Sequence, residues 1–231
     1  MKNNVDILVI GGGQSGLVMA YHLSKQPYTF QILERHQRVG DSWRLRYDSL
    51  KLFSPRAFSA LPGFKVSGDT DSFATKNEIA DYLESYAKHF ELPVATGTGV
   101  RKLERTADGF SATTDDAEAI ISRAVIIATG AFEEPSIPPF SKQLGPSVQQ
   151  FSPTTYRNPN QISRGTILVV GDGATGRQIA LELSETHRVI LAHGKNPASV
   201  PISSSAKITF GGWNSLGYHG RPDSQLWAGI S

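Results

Sequence analysis

Two stretches of the chain share one pattern, in which a short apolar run ends abruptly in glycines. The first stretch is Val5 to Gly16 and the second is Thr166 to Gly176, and a segment with helical periodicity follows each. A short apolar run bounded by glycine is typical of a buried parallel strand. Each stretch therefore predicts a strand, a glycine turn and a helix, which spans Leu17 to Leu23 in the first unit and ends near Leu183 in the second.

The pattern beyond these stretches predicts further strands and one more helix. Thr29–Glu34 and Arg188–Ala192 are apolar runs that give each unit a second strand. Apolar positions up to Phe90 fall on one helical face, and Asn77 would cap that helix at its start. Alternating runs predict three strands of a β-meander, at 99–105, 109–114 and 119–127. The last of these is nearly all apolar at its end, so we expect a buried parallel strand there.

The first glycine turn carries the pattern of a dinucleotide-binding site. GxGxxG spacing permits a tight turn, a close approach of backbone to pyrophosphate, and close packing of helix on strand. The helix N-terminus favours phosphate, and an acid that ends the second strand would bind ribose hydroxyls. The alternative, a glycine turn that only saves space, requires all of these features to coincide by chance. We expect an ADP-containing dinucleotide here, bound by Gly11, Gly13, Gln14, Ser15, Gly16 and Glu34.

The second glycine turn repeats this spacing but lacks the acid. The predicted ligands in the turn are Gly171, Gly173, Ala174, Thr175 and Gly176. Where the first unit has its glutamate, the second has Gly194, flanked by His193 and Lys195. A ribose 2′-phosphate would repel a carboxylate and attract a cation, which favours NADP over NAD. The alternative, that Lys195 is only a solvated surface residue, stays open.

Composition excludes several classes of function. The chain has 231 residues, 39% of them hydrophobic, and a formal net charge of +2, without a basic run that would bind nucleic acid or an anionic membrane. It contains no cysteine, which excludes disulfides, thiolate metal sites, a catalytic cysteine and the dithiol chemistry of some flavin reductases. No metal site is expected. The first strand begins almost at the N-terminus, and no run reaches the roughly 18 apolar residues of a membrane span, so we expect a soluble cytoplasmic protein.

The order of motifs resembles the flavin-dependent class B monooxygenases, the group of flavin-containing monooxygenases, Baeyer–Villiger enzymes and YUCCA-like enzymes. Bacterial single-component NAD(P)/FAD-dependent oxidoreductases of that group look most similar. The segments that carry the resemblance are Gly11 to Gly16, Glu34, Gly40-Asp-Ser-Trp43, Tyr47 to Pro55, Ala128-Thr-Gly130, Tyr156-Arg-Asn-Pro159 and Gly171 to Gly176. The resemblance implies FAD at the first turn and a nicotinamide cofactor at the second, with NADPH expected in preference to NADH.

The resemblance also implies a fold class and a domain order. The fold class is α/β, a two-dinucleotide-binding-domain flavoprotein with Rossmann-like parallel sheets and an antiparallel β-meander. The expected domains are an FAD-binding Rossmann-like domain with the β-meander at 1–140, a proline-rich connector at 141–165, and an incomplete NAD(P)-binding Rossmann-like domain at 166–231. Prolines recur from Pro135 to Pro159, which is typical of a connector.

Carried over residue by residue, the resemblance adds ligands around the flavin. Glu34 would bind the adenosine ribose and Val100 would meet the adenine. The further cofactor-binding residues are Arg35, Gly40, Ser42, Trp43, Ala128, Thr129 and Gly130, and the candidates to line a substrate pocket are Trp43, Leu52, Phe53 and Arg56. The alternatives are that Trp43 belongs to the core and that Thr129 and Gly130 form a structural turn.

The implied function is an FAD-dependent, NAD(P)H-using monooxygenase that inserts one oxygen atom of O2 into a small organic substrate through a flavin C4a-peroxide. No catalytic side chain is assigned, and a homo-oligomer is left open. One alternative is an NAD(P)H-dependent flavin reductase or oxidase. It arises because Ser152 stands where the family pattern FxGxxxHxxx(Y/F/W), counted back from Tyr156, has histidine. Family members normally extend further than this chain, whose tail from Phe210 is weakly patterned, so we expect the chain to be a fragment. A second alternative is therefore a non-catalytic nucleotide-binding fragment.

Overall fold

The computed structural model describes residues 3–132 and 134–193, and the backbone of 208–212. These residues form two compact units. The first comprises the described residues up to Gly145 together with Gln150–Thr155, and the second comprises Pro146–Gln149 and the described residues from Tyr156 onward. The domain bounds expected from the sequence stay a prediction, because packing into units does not test which cofactor each unit binds.

The first unit is built on a six-stranded mixed sheet in the order β3-β2-β1-β6-β5-β4. Its elements are β1 (Asn4–Ile10), α1 (Gln14–Leu23), β2 (Phe30–Leu33), α2 (Asp41–Arg44), α3 (Lys76–His89), β3 (Val94–Ala95), β4 (Val100–Thr106), β5 (Gly109–Thr114) and β6 (Ala119–Ile127). Strands β3, β2, β1 and β6 are parallel. Strands β4, β5 and β6 form the antiparallel meander predicted from the alternating runs.

The register of the parallel strands brings their carboxyl ends to one edge of the sheet. Ile10 at the end of β1 lies opposite Leu33 of β2 on one side and Ile127 of β6 on the other. The residues that follow these strands, among them Gly11 and Glu34, therefore leave the sheet at the same edge. In open α/β sheets ligands bind at this edge.

The core lies on both faces of the sheet. One buried cluster includes Val9, Ile32 and residues of α1 and α3 such as Leu17 and Tyr86. A smaller cluster around Leu8 packs on the opposite face. Each fully buried side chain of this size contributes roughly 1.5 to 3 kcal/mol, so these two layers fix the positions of the helices and the turns that join them.

Helix α3 begins two residues earlier than the sequence predicts, and its cap is Thr75 instead of Asn77. The Thr75 hydroxyl accepts the Glu78 N–H, and the Glu78 carboxylate accepts the Thr75 N–H, which together form a capping box. This reciprocal pair satisfies two backbone donors at once. Asn77 has no such partner three residues on, which is the physical reason that the chain starts its helix at Lys76.

The second unit contains a three-stranded parallel sheet in the order β7-β8-β9. Its elements are β7 (Thr166–Val170), α4 (Ala174–Ser184), β8 (Arg188–His193) and β9 (Ile208–Gly212). Strand β9 includes the start of the tail that the sequence shows as weakly patterned, since Phe210 pairs with Leu191 in parallel register, and the tail beyond Gly212 lies outside the described residues. The fold class is confirmed as α/β, with two parallel Rossmann-like sheets and an antiparallel meander.

Strand β6 differs from the buried strand expected from its apolar sequence. It is parallel to β1, but Ile127 is 69% exposed. The two residues before it, Val125 and Ile126, are partly buried against the two core clusters. Among the helices in residues 3–132 and 134–193, none has both the length and the hydropathy that a membrane span requires.

Candidate functional site

The first glycine turn is held tightly between β1, β6 and α1. Gly11 adopts a φ of 107°, which favours glycine, and its N–H donates to the Leu33 carbonyl at 2.8 Å. A Cβ on Gly11 would lie 2.3 Å from the Ala128 carbonyl oxygen, and a Cβ on Gly16 would lie 1.9 Å from the Gly11 carbonyl oxygen. Both contacts are far closer than atoms tolerate, so the fold itself requires glycine at these two positions.

Gly13 is different, because a Cβ there would meet no described atom within 4 Å. Gly13 is the N-cap of α1, no side chain caps the helix, and no acidic residue lies in its first turn. Gln14 and Ser15 follow it and are exposed. The first N–H groups of a helix have no intrahelical partner and attract anions. The turn thus leaves room for a phosphate group beside its donors, which fits the expected pyrophosphate.

Glu34 places a carboxylate beside this turn. The residue is 9% exposed. Its Oε2 accepts the Gly12 N–H at 2.8 Å, while its Oε1 accepts the His36 N–H at 2.9 Å and lies 2.7 Å from His36 Nδ1. A Cβ on Gly12 would lie 3.0 Å from the Glu34 Cβ, so the glycine allows the acid to approach. The sequence analysis missed His36; the available signal was a polar ring two residues after the acid that is expected to bind ribose.

The strand that carries Val100 runs close to this acid. Thr98 N–H donates to the Glu34 carbonyl at 2.8 Å and Gly97 N–H donates to the His36 carbonyl at 2.7 Å. A Cβ on Gly99 would lie 3.6 Å from the Cβ of Arg35, whose side chain is exposed. Val100 itself is partly buried against the cluster around Leu8. The structure therefore brings Arg35 and Val100 to the same edge as Glu34.

The segment Gly40 to Trp43 is attached to α3. A Cβ on Gly40 would lie 2.5 Å from the Ala80 carbonyl oxygen, so glycine lets the two segments touch. Residues 41–44 form the short helix α2. Trp43 packs on the same core cluster as Leu17, and the Ser42 carbonyl accepts Arg46 Nε at 3.2 Å.

Arg44 is the anchor of this short helix. Its Nη1 donates to the Val39 carbonyl at 2.8 Å and to Asp41 Oδ1 at 3.0 Å. Its Nη2 donates to Asp81 Oδ1 at 2.7 Å and to Glu84 Oε2 at 3.0 Å. Hydrogen bonds from Arg38, together with the nearby arginine charges, lower the pKa of Glu84. The network fixes the segment that presents Ser42 and Trp43.

The pocket expected from Leu52, Phe53 and Arg56 is corrected at one position. Arg56 is 8% exposed, and its guanidinium donates to Ser72, to the Ser67 carbonyl and to Glu78. These bonds tie a surface loop to the start of α3, so Arg56 does not line a pocket. Leu52 packs on the core cluster, whereas Phe53 is 78% exposed.

The end of β6 reaches the first turn directly. Ala128 N–H donates to the Ile10 carbonyl at 2.8 Å, which continues the parallel ladder to the point where Gly11 begins the turn. Thr129 and Gly130 follow and are exposed, and a Cβ on Gly130 would meet no described atom within 4 Å. The structure thus groups Ala128, Thr129 and Gly130 with the first glycine turn.

The second glycine turn reproduces the first. Gly171 has a φ of 104°, its N–H donates to the Ala192 carbonyl at 2.9 Å, and a Cβ on Gly176 would lie 1.9 Å from the Gly171 carbonyl oxygen. Gly173 caps α4 without a side-chain hydrogen bond, and a Cβ there would meet no described atom within 4 Å. Ala174 and Thr175 form the first turn of the helix. This turn also has room and donors for a phosphate group.

Two charged residues in the second turn were not predicted. Arg177 is 6% exposed; its Nε donates to the Asp172 carbonyl at 2.8 Å and its Nη2 lies 3.4 Å from Asp172 Oδ2. The arginine therefore closes the turn from inside the helix. Of the residues expected at the ribose, His193 ends β8 and is partly buried, while Lys195 and Gly194 lie outside the described residues.

Comparison with known proteins identifies the family. Residues 8–210 match the family model described as pyridine nucleotide-disulphide oxidoreductase. The chain belongs to this oxidoreductase family. It is 44% identical to an uncharacterized CzcO-like oxidoreductase of Geobacillus kaustophilus, over 94% of this chain and 62% of that protein. It is 27% identical to the indole-3-pyruvate monooxygenase YUCCA1 of rice, over 84% of this chain and 47% of that protein.

The solved structures agree with the relatives. A flavin-containing monooxygenase from Stenotrophomonas maltophilia matches with a TM-score of 0.80 and 28% identity, over 85% of this chain and 60% of that chain. The predicted relationship to flavin-dependent monooxygenases is confirmed. The chain spans about three-fifths of the length of the CzcO-like relatives that it matches.

Proposed function

We propose that the chain binds FAD at the first glycine turn and NADPH at the second, and that the protein is a monooxygenase acting on a small organic substrate with O2. The observation that carries the proposal is the duplicated turn. In both units the third glycine lies against the carbonyl oxygen of the first, and the middle glycine faces open space at the start of a helix. Two such turns in one chain fit two dinucleotides.

The proposed ligands divide between the two cofactors. Gly11, Gly13, Gln14, Ser15 and Gly16 would bind the FAD pyrophosphate, with Glu34, Arg35 and Val100 at the adenosine and Gly40, Ser42, Trp43 and 128–130 towards the flavin. Gly171, Gly173, Ala174, Thr175 and Gly176 would bind the NADPH pyrophosphate, with His193 and Lys195 at the 2′-phosphate. A bound flavin supplies the redox and oxygen chemistry; the chain's own residues bind, orient and exclude water.

The names of two similar proteins support the proposal of oxygen insertion. The rice relative at 27% identity and the Stenotrophomonas structure at 28% identity are both named as monooxygenases. The chain contains no cysteine, which favours a monooxygenase over a dithiol reductase.

The first test is the visible spectrum of the purified chain, before and after NADPH is added without oxygen. Flavin absorbance that bleaches with NADPH is the expected result. Gly13→Val is the matched variant, because a branched side chain would fill the space beside the turn that no described atom occupies. It should fold but purify without flavin. A variant as yellow as the parent would place FAD elsewhere.

A second candidate, an NADPH-dependent flavin reductase or oxidase, is favoured by one observation. Ser152 stands where related monooxygenases carry histidine, and its hydroxyl lies 2.8 Å from the Thr154 hydroxyl in a local turn. The ratio of oxygenated product to NADPH consumed separates the two functions, with hydrogen peroxide measured alongside. A ratio near one supports the monooxygenase, and stoichiometric peroxide supports the oxidase.

A further inference from the structure

The Glu34 carboxylate is shared unequally between its neighbours. Oε1 takes two contacts from one residue, the His36 N–H at 2.9 Å and His36 Nδ1 at 2.7 Å. Oε2 takes one, the Gly12 N–H at 2.8 Å. The side chains of Glu34 and His36 are 12% and 18% exposed, so both groups are largely shielded from water.

The hydrogen-bonding capacity of the carboxylate sets what it can still bind. An ionised carboxylate is an acceptor with about four lone-pair sites, two on each oxygen. Since it accepts backbone N–H groups at both oxygens, His36 Nδ1 must carry the hydrogen that it shares with Oε1. Both sites of Oε1 are then filled, and one site remains on Oε2. That site lies on the oxygen bonded to Gly12, next to the glycine turn.

We propose that His36 is a positioning residue that fills Glu34 Oε1 and orients the carboxylate, so that Oε2 accepts one ribose hydroxyl, the 2′-OH, of the bound adenosine. This inference rests on the proposed binding of an ADP-containing cofactor at the first turn. It goes further by naming the atom of recognition and the side chain that fixes it. A carboxylate held by three donors loses less rotational freedom when the ligand binds, which strengthens its contact with the hydroxyl.

The test measures binding of ADP, 2′-deoxy-ADP and 3′-deoxy-ADP by calorimetry to the purified chain freed of flavin, with NADP present to occupy the second turn. For the parent chain, loss of the 2′-OH should weaken binding about tenfold, because the lost hydrogen bond is to a charged group. Loss of the 3′-OH should change binding by less than about twofold, since no second acceptor site faces it. If the parent chain binds both deoxy analogues more weakly than ADP by the same factor, the single-hydroxyl assignment is wrong.

The variants His36→Leu and His36→Asn separate positioning from stability. Leucine removes the donor, so the penalty for 2′-deoxy-ADP should fall below about threefold while affinity for 2′-deoxy-ADP itself stays unchanged. Asparagine places an amide N–H near the position of Nδ1 and should restore the parent penalty. The role of His36 is overturned if His36→Leu discriminates between ADP and 2′-deoxy-ADP as strongly as the parent does, or if it binds both ligands more weakly by the same factor.

The proposed function fails separately. If Glu34→Gln keeps the full preference for ADP over 2′-deoxy-ADP, Glu34 does not bind the ribose hydroxyl and this inference falls, while FAD binding at the first turn is decided by the spectrum of Gly13→Val. If Glu34→Gln loses the preference while His36→Leu keeps it, the ribose acid stands and only the role of His36 is lost.

Discussion

The carbonyl oxygen of Gly11 occupies the space that a Cβ on Gly16 would need, at a distance of 1.9 Å, and the same relationship recurs at the same distance between Gly171 and Gly176. The helix after each turn therefore packs directly on backbone. Gly13 and Gly173 sit between these pairs, where a Cβ would meet no described atom within 4 Å. In each turn the fold requires glycine at the first and third glycine positions. A bound ligand is the remaining reason for glycine at the second position.

This division predicts opposite results for two alanine substitutions. Gly16→Ala should reduce the free energy of unfolding by about 3 kcal/mol, because the added methyl group collides with backbone that cannot turn aside. Gly13→Ala should cost no more than about 1 kcal/mol, the usual effect at a helix N-cap. Urea unfolding measures both. Equal losses of stability would mean that the space beside Gly13 is closed in solution.

Stability should depend on pH through Glu78. Its bonds with Thr75, followed by its pair with Arg56, lower its pKa from 4.5 to about 2. Since the folded pKa lies below the unfolded value, the charged carboxylate stabilises the fold fully above pH 4.5. That contribution is lost as pH falls through the window from 4.5 to about 2.

The variant Glu78→Gln isolates this effect. Glutamine can keep the capping bond to Thr75 but not the charge. The difference in unfolding free energy between parent and variant should be largest near neutral pH and shrink steadily as pH drops below 4.5. Glu104→Gln is the control, because its exposed pair with Lys102 contributes little at any pH. A difference for Glu78→Gln that stays constant with pH contradicts the assignment.

Local spacing predicted the parts of the site that depend on backbone alone. GxGxxG fixes how helix meets strand, so Gly11, Gly16, Gly171 and Gly176 have the surroundings that the motif demands. The His36 contact was not predictable in this way. It depends on a side chain turning back onto Glu34 and on the missing Cβ of Gly12, and no spacing rule describes either.

Three other differences from the expected structure have separate causes. Thr75 and Asn77 are both good helix caps, and the reciprocal bond with Glu78 decides between them. The apolar end of β6 predicts burial, but Ile127 is exposed, because burial depends on which elements pack on each face of the sheet and the strand's own sequence does not specify them. The family resemblance made Arg56 a candidate to line a pocket, yet its guanidinium donates to three partners, Ser67, Ser72 and Glu78, that no spacing rule brings together.

Preference for NADPH should depend on Lys195. A cation there would pair with the ribose 2′-phosphate, so Lys195→Ala should raise the KM for NADPH about tenfold and leave that for NADH nearly unchanged. Lys142→Ala removes an exposed cation from the first unit and is the matched control. Steady-state oxidation of both nucleotides gives the comparison. Equal changes for NADPH and NADH would exclude a 2′-phosphate contact.

The position of Trp43 should depend on Arg44 more than on its neighbour Arg38. Arg44 donates to Val39, Asp41, Asp81 and Glu84 from a side chain that is 16% exposed. Without it, the three carboxylates lose a shared cation, and Arg44→Met should cost about 3 kcal/mol in unfolding free energy. Loosening of α2 should also change the fluorescence of Trp43 and weaken the binding of FAD.

Arg38→Met supplies the control for this network. Arg38 pairs with Glu84 at 2.6 Å, but its side chain is 55% exposed, so its loss should change the free energy of unfolding much less than the loss of Arg44. FAD affinity should then stay close to that of the parent. Both substitutions remove one positive charge, but only Arg44→Met releases the Val39 carbonyl. If both variants weaken FAD binding equally, the net charge near α3 controls the site and the anchoring of α2 does not.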